Sequence, residues 1–244
     1  MEVHHHPELP HGEKKRFKEY LLEFLMIFLA VTMGFIAENI REHLSDNSKE
    51  SEYIAGMVKN LEVDTTRLIH TIKNNHNQIG GIDSLRSISR DKLNDVKVQD
   101  SLYLYTTQYL FNVNNFKNDD ITLTQLRNAG GYRLIRNEAV LDSIAVYEKN
   151  ISELGLQYDY VLSSISKSID MAGSMFDLNK GRRFQLAPSS TPILITNDKE
   201  KINEFYNRCF LISVSLKGYN MMLEHQLKYS DRLISFLKEE YDVE

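Results

Sequence analysis

The stretch at residues 21–40, LLEFLMIFLAVTMGFIAENI, constrains this chain more than any other. It contains no proline, and between residues 24 and 37 every side chain is apolar or small except Thr32. A helix needs about 20 mostly apolar residues to cross roughly 30 Å of hydrocarbon. The inner run is too short for that. The whole stretch is long enough, and takes in Glu23 near its start and Glu38 and Asn39 at its end. Acidic groups near the ends of a span reach the headgroups and cost less than at mid-bilayer. Phe24, Leu25, Met26, Ile27, Phe28 and Leu29 put apolar side chains all round the helix. A helix lying in the membrane plane needs a strongly polar face instead. The sequence therefore predicts a transmembrane anchor over residues 20–41.

The flanks give an orientation. Lys14, Lys15, Arg16 and Lys18 precede the anchor, while Glu38, Arg41, Glu42 and Asp46 follow its core. The positive-inside bias then places the N-terminus in the cytoplasm and the main domain outside, in the periplasm of a Gram-negative cell. A basic start followed by an apolar run also fits a secretory signal. No small-x-small cleavage site follows, so a retained anchor in a bacterial inner membrane is expected, with membrane lipid as its first partner. Glu23 carries the functional promise of this region. In an oligomer, copies of Glu23 could line a cation path; otherwise the carboxylate snorkels to the interface or pairs with Lys18 or Lys15.

Hydrophobic residues make up 42% of the chain and charged residues 26%, enough to bury a core. The net charge of −5 argues against a nucleic-acid partner, which wants a basic stripe. A single cysteine, Cys209, excludes an internal disulfide framework. Glycine and proline are scarce, and the chain reads as long helices.

Residues 1–19 form a polar tail whose histidines (His4, His5, His6, His11) lack the cysteine or carboxylate partners that would fix a metal geometry. Beyond the anchor, Ile54, Val58, Leu61, Thr65, Leu68 and Ile72 recur at helical spacing. The anchor and first outer helix therefore read as one rod as far as Gly80-Gly81, the first strong breaker. A shorter helix is expected over 82–90 and an aromatic-rich one over 101–116. At 121–137, ITLTQLRNAGGYRLIRN predicts a short helix, a glycine-closed corner and Asn137 as the next N-cap. A long helix over 138–176 follows, then an irregular loop at 177–198 holding the short apolar clip Ile193-Leu194-Ile195. Asp198 caps a last helix over 199–240.

Two groups of side chains suggest chemistry. Arg127, Arg133 and Arg136 cluster around the Gly-Gly corner and could grip a carboxylate or phosphate ligand. Met221, Met222 and His225 could suggest copper, but methionine on a packed helix reads as core, as does Cys209 on the inward stripe. No phosphate-cradling glycine loop, nucleophile elbow or H-E-x-x-H occurs. No catalytic residue, metal or cofactor is assigned, and the chain is expected not to be an enzyme.

The chain resembles an uncharacterised family of single-pass membrane proteins of Bacteroidota-type bacteria. Three stretches carry the likeness: HHHPELPHGEKKRFKEYLLEFLMIFLAVTMGFIAENIREH, LRNAGGYRLIRNEAVLDSI and LISFLKEEY. The resemblance implies an inner-membrane protein with a periplasmic helical domain and carries no activity.

The expected fold is all-α: one N-terminal transmembrane helix continuing into a bundle of long antiparallel helices spanning residues 42–244. The expected function is an envelope scaffold or accessory subunit, working as a homo-oligomer or with other envelope proteins. A ligand-sensing bundle and a homo-oligomeric channel lined by Glu23 are the alternatives.

Overall fold

The computed structural model describes residues 17–180 and 191–243. The histidine-bearing tail and the part of the 177–198 loop with Arg182, Arg183 and Pro188 lie outside them. The fold is all-α, with no strand among the described residues. Five helices follow in order: α1 (Phe17–Ser87), α2 (Val96–Tyr105), α3 (Ile121–Asn128), α4 (Glu138–Met175) and α5 (Lys199–Tyr241). The chain divides into two compact units, residues 1–50 and 51–244.

The first unit is the N-terminal part of α1. An 18-residue window there is long and apolar enough to cross a membrane, and none of it is buried. Phe24 and Phe28 stack one turn apart with ring centroids 6.1 Å apart. Past the apolar run, Glu38 pairs with Arg41 and Asp46 with Lys49. Such exposed pairs contribute little stability each. They mark where the helix surface turns polar.

The second unit is built on three long helices. α5 runs antiparallel to the C-terminal part of α1: Lys238 meets Glu62 at 2.9 Å, Asn220 meets His76 at 3.1 Å, and the Tyr206 hydroxyl donates to the Ile88 carbonyl at 3.0 Å. α4 runs antiparallel to α5, since Asn137 meets Glu240 while Tyr229 reaches the Ser143 carbonyl. Asn137 and Asp198 cap α4 and α5 through their side-chain oxygens, as the sequence requires. The left-handed residue at the corner is Gly130, φ 64°. It ends α3 before a 3₁₀ turn at Gly131–Arg133.

Two findings differ from the sequence reading. The Gly80-Gly81 pair does not break α1, which continues to Ser87 and absorbs most of the helix expected over 82–90. Gly81 serves close packing instead: a Cβ there would lie 2.0 Å from Cγ of Tyr109. The helix expected over 101–116 ends early. α2 passes into a π-turn at Thr106–Leu110, and residues 111–120 run without helix. The apolar clip is present: Ile193 and Ile195 exchange backbone hydrogen bonds with Asp177 and Met175 at 2.9 Å each. The buried Gln99 oxygen accepts from the amides of Ile193 and Leu194, which ties the clip to α2.

The core is two apolar clusters. One holds Leu61 of α1, Tyr147 of α4 and Leu233 of α5. The other holds Leu68, Leu154 and Leu223 of the same helices. Between each of these pairs in sequence lies a buried or half-buried polar side chain: Asp64 on α1, Asn150 on α4, and Gln226 and Ser230 on α5. A polar layer therefore separates the two cores.

Candidate functional site

The corner arginines come first. Arg127, on the last turn of α3, donates to Glu148 Oε1 at 2.6 Å, and the Tyr132 hydroxyl donates to Oε2 of the same carboxylate at 3.0 Å. Glu148 thus takes up the Arg127 charge and raises its pKa. Arg133 folds back on the Gly130 carbonyl at 3.4 Å. Arg136 is exposed in the link before α4. An anion binding at Arg127 would have to displace Glu148.

A second polar group holds residues 111–122 against α1. Asn60 accepts from the Thr122 amide, Asp64 from the Asp119 amide at 2.7 Å, and Arg67 donates to the Lys117 carbonyl. About three helical turns beyond, the Gln78 amide donates to the carbonyls of Tyr109 and Asn112 and accepts from Asn114. Residues 60, 64, 67 and 78 follow helical spacing along one face of α1. They supply the backbone partners that an irregular segment lacks. Asp64 is fully buried and also accepts from the Tyr147 hydroxyl. Burial pushes its pKa up to about 6, against the lowering effect of the Tyr147 and Asp119 hydrogen bonds. This group is structural: each member is spent on holding the segment.

The third group is open. Where α4 crosses the polar layer, Asn150 and Glu153 face Met221, Met222, His225 and Gln226 of α5 across a cavity of about 260 Å³. Met221 is 69% exposed at its rim and His225 is exposed beside it. The core placement expected for this Met/His set is thereby corrected: an outward turn of α5 carries Met221 and His225 to the edge of a cleft, and Met222 is only partly buried. Gln226 is 1% exposed and donates to Ser230 Oγ at 3.2 Å, but its Oε1 has no partner. Asn150 Nδ2, on the opposite helix, is also buried without a partner. Lys149 takes up Glu153 at 3.7 Å. No cluster of three or more His, Cys, Asp or Glu able to hold a metal occurs among the described residues.

Glu23 lies half-buried in the apolar part of α1. Cys209 is fully buried and burial pushes its thiol up to about 12. In the sequence only the Met221, Met222 and His225 group marked this place, and it read there as core. Asn150 and Gln226 become notable only when the antiparallel register of α4 and α5 sets them on one cavity. Compared with known proteins, the chain matches no family model, no curated protein and no solved structure.

Proposed function

We propose that this protein is a non-enzymatic, membrane-anchored helical scaffold or accessory subunit of the bacterial envelope, working as an oligomer or with other envelope proteins. The observation that carries the reading is the pairing of an unburied apolar span with a bundle that has its own packed core. A chain so built holds a folded body at a membrane surface. Its outer helices add support. Leu156 and Tyr160 on α4, and Leu211 and Val214 on α5, are large apolar side chains left in water. Apolar side chains left exposed on both helices suit a surface that a partner covers. The inner-membrane address, cytoplasmic N-terminus and periplasmic bundle follow from the basic residues preceding the anchor. The family resemblance in the head, corner and closing helix points the same way.

The test is the mass of full-length protein extracted in mild detergent. A defined multiple of the 28.4 kDa chain, or a second protein in fixed ratio, is the expected result. A lone monomer would overturn the scaffold reading and would also remove the channel alternative, which needs several copies of Glu23. The remaining alternative is a ligand-sensing bundle. The arginine corner supports it only through displacement of Glu148.

A further inference from the structure

We propose that Met221, Met222 and His225 form a site for a soft monovalent metal ion of the copper(I) class, held by two thioether sulfurs and one imidazole nitrogen at the edge of the α4–α5 cleft. The three residues stand at positions i, i+1 and i+4 of one helix, α5. His225 is therefore one turn from both methionines. Side chains three and four residues apart are neighbours on a helix, with Cβ atoms about 5–6 Å apart. Cα–Cβ bonds tilt towards the helix N-terminus, so the His225 ring leans over the turn that carries Met221 and Met222. All three side chains line the same cavity of about 260 Å³.

The donors are also available. Met57 and Met175 are buried, as methionine on a packed helix usually is. Met221 instead leaves 69% of its surface in water, and His225 is exposed beside it. His70 and His76 are engaged by Asn74 and Asn220 at 3.1 Å each. Among the described residues, no hydrogen bond or ion pair engages His225.

The donor types choose the ion. Thioethers are soft ligands that select copper(I), and imidazole suits copper as well. Zinc sites use thiolate, imidazole and carboxylate, and no group of three or more such residues able to hold a metal occurs among the described residues. Charge points the same way. The donors bind in their neutral forms, and the acid at the cavity, Glu153, faces Lys149 at 3.7 Å. A neutral donor set does little to offset a double charge and so favours a monovalent ion. Buried Leu154 gives the cavity an apolar wall, and the flexible thioethers adjust to the ion. The inference does not rest on the scaffold reading, because all three donors belong to one helix of one chain.

The experiment uses full-length protein in detergent micelles, isotope-labelled on the methionine methyls and histidine rings. The probe is silver(I) nitrate in chloride-free buffer, a redox-inert stand-in for copper(I). One equivalent should shift the Met221 and Met222 methyls and the His225 ring together, and the shifts should saturate. Met221→Leu, Met222→Leu and His225→Phe should each weaken binding. The loss should be at least the roughly tenfold to hundredfold seen when only a metal ligand's hydrogen-bond partner is removed. Methionine-to-leucine changes conserve volume, so those variants stay folded. Two other groups attract such ions, the buried Cys209 thiol and the N-terminal histidines. Cys209→Ala should leave the methyl shifts in place. Zinc(II), which binds imidazole but not thioether, should leave the Met221 and Met222 methyls unmoved. The proposal is overturned if silver(I) gives no saturable shift of these methyls, if zinc(II) shifts them as strongly, if Cys209→Ala abolishes the shifts, or if any of the three donor variants binds silver(I) as tightly as the parent.

Discussion

Asp64 illustrates how one residue couples the interior to pH. Its carboxyl is buried and its folded pKa is raised to about 6 from an ordinary value of 3.8. A raised carboxyl pKa means that the folded state holds its proton more tightly than the unfolded chain. The contribution to stability is fully present below about pH 4 and is lost as pH rises through about 6. At about 1.4 kcal/mol per unit, the two-unit difference amounts to roughly 3 kcal/mol. Asp64→Asn should therefore flatten this part of the stability profile. Its side-chain oxygen can still accept from Asp119, and its amide can donate to the Tyr147 hydroxyl once that hydroxyl turns. Urea midpoints measured from pH 4 to pH 7 should fall for the parent chain by more than for Asp64→Asn. Equal slopes would show that Asp64 does not titrate in this range. Sequence inspection had put Thr65, not Asp64, on the inward stripe of α1. Apolar periodicity cannot register a buried carboxylate, because its partners, Tyr147 and the Asp119 amide, lie far away in the chain.

At the scale of elements, the glycine pair in α1 shows how much local sequence conveys and where it stops. Asn137, Asp198 and Gly130 act within their own turns, so their capping and corner roles were legible from neighbours alone. Gly80-Gly81 carried the same local signal for a break, but tertiary packing overrides it. Gly81 admits the Tyr109 ring, which stacks on Tyr105 at 5.7 Å, whereas Gly80 faces open space. The two substitutions should then act in opposite directions. Gly80→Ala adds a helix-favouring side chain and should stabilise by about 0.5–1 kcal/mol. Gly81→Ala overpacks the ring and should destabilise by about 1–3 kcal/mol. For a domain of this size 1 kcal/mol corresponds to about 2–4 °C in Tm. Thermal unfolding of the two variants should move to opposite sides of the parent, and a shared direction would contradict the packing role of Gly81. The early end of α2 has the same origin. Residues 111–120 leave the helix because Asp64, Arg67 and Gln78 offer backbone partners on α1 that no local pattern reveals.

For the whole molecule, the question is which side of a membrane the bundle occupies, and the chain provides its own control. Its single cysteine is fully buried, with a thiol pushed up to about 12. Thiol reagents react with the exposed thiolate, so the folded parent should stay unlabelled and become reactive only on denaturation. An introduced cysteine then reports its own location without background. Ser163 is exposed on α4, and Glu13 belongs to the basic tail that precedes α1. The charge bias around the anchor predicts that a membrane-impermeant maleimide, given access to the outer face of the inner membrane, labels Ser163→Cys at once. Glu13→Cys should be labelled only after the membrane is opened. The reverse pattern would turn the topology over and put the bundle in the cytoplasm. Labelling of both positions in intact membranes would mean that the apolar window does not span the bilayer. The bundle would then sit beside the membrane, and Glu23 would lose the lumen that a channel requires.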